Sequence, residues 1–257
     1  MLAPVRRQFL NDYARIRSAE GRGSDRSDYY RALPFHDISG QNSAQWRMRA
    51  RTFQYFVACV LSRKQADVLD LGAGNCWLSY RLAEMGHRPV AIDIFPDARD
   101  GLRAARHYPV SFPAVEAEFD RLPLPNASFD LAVFNASFHY SPDYRRTLEE
   151  VRRCLRSNGR VVILDSPVYK RREHGEQMRS ERQVFFEKTH GFRSEALGSI
   201  EYLDEPTLDS LARDLRLTWK IHRPWYGLAW AMRPWKARIR RTRPPSRFWI
   251  LEGKFQH

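Results

Sequence analysis

The sequence predicts an α/β fold, a doubly wound and mostly parallel sheet of seven strands with helices on both faces. Three observations predict it. From residue 67 onward, short apolar runs alternate with amphipathic stretches, the order of a parallel sheet. The run at Val68–Leu71 turns through Gly72 and Gly74 directly into a helical pattern, giving VLDLGAGNCWLSYRLAEMG from Val68 to Gly86. Two late strand patterns, Leu217–His222 and Arg247–Phe255, supply an antiparallel edge.

Each element has its own signal. Residues 1–66 read as a helical extension that acts as a lid. A short helix and a flexible loop occupy 1–30, and a helix over 43–63 carries Trp46, Phe53, Phe56, Val57, Val60 and Leu61 at three-to-four spacing. Residues 67–257 read as the main domain. Val68–Leu71 is a buried strand and Asn75–Met85 a helix that stops at Gly86. Pro89–Asp93 is the second strand, Pro96–His107 a helix, and 110–118 a weaker third strand. Phe129–Asn135 is the fourth strand, Tyr144–Arg156 a helix ended by Ser-Asn-Gly, and Arg160–Asp165 the fifth strand. Helices follow at 174–190 and Glu205–Leu215. Between the last two strands lies a basic, Trp-rich insertion, 223–247, in which Pro234 breaks or kinks any helix.

Composition narrows the function. The 257 residues are 43% apolar, enough for a sizeable core. No apolar run nears the roughly 20 residues that span a bilayer. The longest, Phe53–Leu61, sits between Arg51 and Arg63 and reads as a buried helix face. Neither a secretory signal nor a cysteine framework is visible, since Cys59, Cys76 and Cys154 are far apart. A cytoplasmic location without a bound metal is expected. The net charge of +13 is uneven. Residues 1–66 hold 12 Lys/Arg against 5 Asp/Glu, and 220–257 hold 10 against 1, while the middle is slightly acidic. Basic ends suit an anionic partner, or merely a solvated surface.

The glycine turn selects among ligands. A dinucleotide site wants a third glycine where this chain has Trp77, and a phosphate loop wants Lys and Ser/Thr after its last glycine. Neither is present, so NAD and nucleoside triphosphates fit poorly.

The order of motifs resembles the class I S-adenosylmethionine-dependent methyltransferases, a Rossmann-like family. The resemblance rests on Asp70-Leu71-Gly72-Ala73-Gly74, on Asp93 at the end of the second strand, and on EAEFDRLPLPNASFDLAVFNASFHYSPD, residues 116–143, followed by RCLRSNGRVVILD, residues 153–165. It covers about 67–165, and extends more loosely to 255. The family usually has a further glycine where this chain has Cys76. The resemblance implies S-adenosylmethionine as cofactor, held by Asp70, Gly72, Ala73, Gly74, Asp93, Ile94, Glu118, Phe119 and Asn135. Asp93 would accept the ribose hydroxyls. Glu118 would take the adenine amino group, with Glu116 as the alternative register, and Phe119 would flank the ring. Asp70 is either a contact or an orienter of the loop.

His139 and Tyr140, after the fourth strand, are the catalytic candidates. A base is needed only for a hydroxyl or an unactivated carbon acceptor, and the other reading is that this segment walls the methionine end. Tyr30, His36, Trp46 and Arg47, within 29–49, are substrate-side candidates by position. The expected acceptor is a small or lipid-like molecule. The alternatives are an RNA methyltransferase, suggested by the basic ends, and a non-catalytic scaffold that binds the cofactor. For 223–247, where Trp225, Trp230 and Trp235 recur among six Arg and one Lys through Arg243, a peripheral membrane contact, a nucleic-acid surface and a simple packed cap are the three readings.

Overall fold

The computed structural model describes residues 4–191 and 199–256. Three helices come first: α1 (Pro4–Ala19), α2 (Ser27–Ala32) and α3 (Ser43–Cys59). Then follow β1 (Asp67–Leu71), α4 (Trp77–Glu84), β2 (Arg88–Asp93), β3 (Ala114–Glu116), β4 (Phe129–Asn135), α5 (Tyr144–Cys154) and β5 (Leu155–Leu164). The remainder comprises β6 (Val168–Tyr169), α6 (Arg172–His190), β7 (Leu203–Asp204), α7 (Glu205–Asp214), β8 (Leu217–His222), α8 (Leu228–Ala231), α9 (Arg233–Ile239) and β9 (Ile250–Phe255).

Seven strands form one sheet in the order β3-β2-β1-β4-β5-β9-β8. The first five run parallel, and β9 is antiparallel to both β5 and β8. Strands β6 and β7 pair separately as a short parallel ribbon. The order reverses between β1 and β4, where open α/β sheets bind their ligands.

Apart from the buried Asp70, the central strands carry continuous apolar runs, Val68–Leu71, Leu131–Phe134 and Val161–Leu164, because both faces are covered. Val68, Val133, Val162 and Leu164 point into one buried cluster with Trp46, Phe53, Phe56 and Trp77. Leu69, Leu71, Phe134 and Ile163 point into the other with Leu148, Val151, Leu208 and Leu211. Helix α3 therefore shares the core of the sheet. The N-terminal segment is also tied by polar contacts. The Arg81 guanidinium donates to the carbonyls of Leu33, at 2.8 Å, and Arg31, and Arg17 pairs with the buried Asp100.

Three expectations need correction. Residues 96–107 are not an α-helix: a loop precedes a 3₁₀ turn at Leu102–His107. The Asp97 carboxylate accepts the N–H groups of Arg99 and Asp100, both at 2.8 Å, and so holds a local turn that competes with the helix. The third strand shrinks to three residues at the sheet edge. The Ser-Asn-Gly turn after α5 is instead part of a bulged start to β5, whose register shifts between Phe129 and Leu131. In the basic insertion, Pro234 sits in the first turn of α9, so the segment divides into two short helices, as its proline predicts.

Candidate functional site

A cavity of about 950 Å³ opens at the carboxyl ends of β1, β2, β4 and β5. Its first half is built by the glycine turn. Gly72 and Ala73 both donate to the Ile92 carbonyl, at 2.8 and 2.9 Å, which folds the turn back onto β2. Gly72 has φ +74°, and a Cβ there would lie 2.3 Å from the Ser137 Cβ. Only glycine keeps that passage clear. Cys76, where the family usually has glycine, has φ +63° and keeps the glycine-like backbone at the start of α4.

Asp93 stands beside this turn. Its two carboxylate oxygens accept from Gly74 N–H at 2.8 Å and Phe95 N–H at 2.9 Å. Burial raises its pKa, and those backbone donors oppose the rise. Each oxygen retains acceptor capacity toward the cavity. Ile94, Glu118 and Phe119 line the same half, with the Phe119 ring edge-on to Phe134 at 5.4 Å. Asn135, at the end of β4, faces the cavity with a buried Oδ1 that has no hydrogen-bond partner among the described residues.

Asp70 does not reach the cavity. It is fully buried behind the turn, where its Oδ2 accepts from the Ser79 hydroxyl at 2.7 Å. Burial pushes its pKa up to about 7, against the pull of that hydrogen bond. This geometry makes it an orienter that joins β1 to α4.

The second half of the cavity is aromatic and rich in arginine, with Glu20, Asp100 and Asp165 also in its lining. Tyr13 and Arg17 from α1, Met48 and Arg49 from α3, Arg182 and Phe186 from α6, and Trp230 and Arg233 from the insertion converge on it. His139 and Tyr140 lie at its wall with ring centroids 4.3 Å apart. His139 Nδ1 is 3.1 Å from the Ser166 hydroxyl. Burial, with Arg182 and Arg49 adding, drives the His139 pKa down to about 3. Its imidazole is neutral at ordinary pH and too weakly basic to be an efficient general base.

The substrate-side candidates from 29–49 fall elsewhere. Tyr30 and Trp46 are buried in the core, and His36 and Arg47 are exposed away from the cavity. The right helix was chosen but the wrong face, since Ala44, Gln45, Met48 and Arg49 of α3 line the cavity instead. Arg49 has no ion pair among the described residues. It lies over the Trp46 ring at 4.9 Å, and desolvation lowers its pKa to about 10.

Asp165 was also missed. Its Oδ1 accepts from Thr52 Oγ1 at 2.6 Å, and Thr52 Oγ1 is 2.8 Å from the Tyr226 hydroxyl, which donates to the Phe248 carbonyl at 3.1 Å. This chain of contacts joins α3, β5 and both ends of the insertion. Its sequence signal was an acid at the carboxyl end of a strand, the same signal that marks Asp93.

Comparison with known proteins agrees with the geometry. A family model described as "Methyltransferase domain" matches residues 69–163. An uncharacterised methyltransferase of Mycobacterium tuberculosis is 39% identical over 97 residues, 38% of each chain, so this chain matches little more than a third of that relative's length. The demethylmenaquinone methyltransferase of Thermus thermophilus is 30% identical over 166 residues, 63% of this chain and 72% of that one. The chain belongs to the class I S-adenosylmethionine-dependent methyltransferases. The fold of the family is equally clear in a Haloferax volcanii putative methyltransferase solved in complex with the Trm112 methyltransferase activator. The two align with a TM-score of 0.62 and 17% identity over 90% of this chain and 97% of that one. S-adenosylmethionine is the cofactor of the family. The positive-φ turn, the cavity-lining Asp93 carboxylate and the orphaned side-chain carbonyl of Asn135 form a cradle with two acceptors that fits it.

Proposed function

We propose that this chain transfers the methyl group of S-adenosylmethionine to a small or lipid-like acceptor held in the second half of the cavity. The observation that carries the reading is one continuous cavity of about 950 Å³ with two chemically different halves. That volume is near the upper end of the roughly 300–1,000 Å³ of small-molecule sites, room for a cofactor and an acceptor together. The Thermus relative, named for demethylmenaquinone, supports a small-molecule acceptor.

The cofactor supplies an already activated sulfonium methyl, so the protein's part is alignment and exclusion of water. In this reading Gly72, Ala73 and Gly74 shape the cradle, and Asp93 accepts the ribose hydroxyls beside Ile94. Glu118 and Phe119 take the adenine, and Asn135 offers its unpaired carbonyl. Asp70 holds the turn from behind. His139 and Tyr140 form the wall between the halves, and a neutral His139 accepts or orients rather than removing a proton at low pKa. Residues 1–66 serve as the lid, through Tyr13, Arg17, Met48 and Arg49. The aromatic side chains of the second half, set among arginines, suit an amphiphilic acceptor, and contact of 223–247 with a membrane accords with it.

Isothermal titration tests the reading. S-adenosylhomocysteine should bind while NAD and ATP do not. Asp93→Ala should weaken binding by roughly 10- to 100-fold, the loss of about 1.5–3 kcal/mol in hydrogen bonds to a charged group. Unchanged affinity in a folded Asp93→Ala protein would show that another acid holds the ribose.

A further inference from the structure

The insertion between β8 and β9 has two faces of different chemistry. Helices α8 and α9 follow one another almost without interruption: Met232 N–H donates to Leu228 O at 3.0 Å, and Lys236 N–H to Met232 O at 3.0 Å. Along this run Leu228, Met232, Trp235 and Ile239 recur at spacings of four, three and four. At 3.6 residues per turn they occupy an arc of roughly 60°. All four are exposed, at 71%, 36%, 59% and 61%, and Trp225 just before them is 68% exposed.

Leu, Trp and Ile are ordinarily kept from water, and a contiguous exposed stripe of them marks an interaction surface. The opposite side of the same helices is occupied. Trp230 and Arg233 line the main cavity, with the Arg233 guanidinium 3.6 Å from the Trp230 ring centroid. The stripe is thus the outer face of the cavity roof.

Charge specifies what covers it. Lys236 and Arg238 flank the stripe on its two sides, and Arg240 and Arg241 follow it. All four are exposed, and none pairs with a carboxylate among the described residues. Apolar side chains ringed by unpaired cations match a layer with an anionic surface and an apolar interior. A bilayer of anionic lipid has both. A nucleic acid would satisfy the cations but leave Leu228 and Ile239 in water.

We propose that α8–α9 lays its Leu228–Met232–Trp235–Ile239 stripe into an anionic lipid surface. This contact would place the roof of the acceptor cavity against the membrane. It deepens the proposed function by pointing to an acceptor drawn from that surface, but the docking itself does not depend on methyl transfer.

Vesicle sedimentation with the full chain tests it, using phosphatidylcholine vesicles with and without 30% phosphatidylglycerol. The wild type should bind the anionic vesicles with a blue shift of Trp emission, and neutral vesicles far more weakly. Replacing Lys236, Arg238 and Arg240 by Gln should lower the partition on the order of 100-fold. Changing Leu228, Trp235 and Ile239 to Ser should abolish the blue shift. Both variants should keep wild-type affinity for S-adenosylhomocysteine, which shows that the fold and the cofactor half are intact. If cofactor binding fails in the wild type while vesicles still bind, the enzyme reading fails and the docking stands. The docking is overturned if the wild type ignores anionic vesicles, if it binds RNA in their place, or if the stripe proves to join two copies of the chain.

Discussion

At the scale of single residues, Gly72 and Gly74 share a motif but not a constraint. A Cβ on Gly72 would overlap Ser137, whereas the nearest atom to a Cβ on Gly74 is the Asp100 carbonyl oxygen at 3.9 Å. Gly72→Ala should therefore distort the cradle and remove measurable S-adenosylhomocysteine binding. Gly74→Ala bears only the backbone penalty of a left-handed conformation, about 1–2 kcal/mol. Titration and thermal unfolding of the two variants separate these outcomes, and equal behaviour would contradict the packing argument. His139 offers a direct check of another kind. With a pKa near 3, its ring resonances, assigned by comparison with His139→Gln, should show no titration step between pH 5 and 8. A midpoint near 6.5 would restore it as a base.

At the scale of elements, the Thr52 hydroxyl adds a polar tie between α3 and the end of β5 to the apolar packing of that helix on the sheet. Thr52→Val would leave the buried Asp165 carboxyl without its donor and should cost about 1–3 kcal/mol of stability in chemical denaturation. Thr52→Ser, which keeps the hydroxyl, should recover most of the loss. The limits of sequence reading are visible in this helix. Its existence was legible, because Trp46, Phe53 and Phe56 repeat at helical spacing. Which flank would meet the ligand was not, because the stripe reports only what faces the core, and Met48 and Arg49 look like ordinary surface residues. The parallel strands were legible from their continuous apolar runs. The 96–107 segment was not, since the Asp97 turn depends on a side-chain contact that periodicity does not report. The glycine turn was legible because local backbone chemistry dictates it, and the position of Asp93 beside it because the strand that ends there is an apolar run. The fall of the His139 pKa depends on burial beside Arg182 and Arg49, which lie far from it in the chain.

At the scale of the whole molecule, buried carboxyls make stability depend on pH. Asp70 has a native pKa near 7 against an ordinary 3.8. The folded protein therefore holds this proton across a window where the unfolded chain has released it. Its stabilising contribution is full below pH 3.8 and is lost as pH rises through 7. Asp70→Asn cannot ionise, so its stability relative to wild type should improve steadily between pH 4.5 and pH 8. Denaturation series at several pH values measure this, and a constant difference would mean that Asp70 ionises normally in the fold.

The pairing of β8 with β9 has a consequence for how such a protein can diversify. His222 and Ile250 are directly opposite in the ladder, so the intervening stretch leaves and rejoins the sheet at neighbouring points. Its length is nearly free, as each doubling of a flexible loop costs only about 0.6 kcal/mol in closure entropy. Whatever is carried there, roof and outer face together, can be exchanged as a cassette. The glycine cradle and Asp93, on the far side of β5, would keep their geometry while the range of molecules admitted changed.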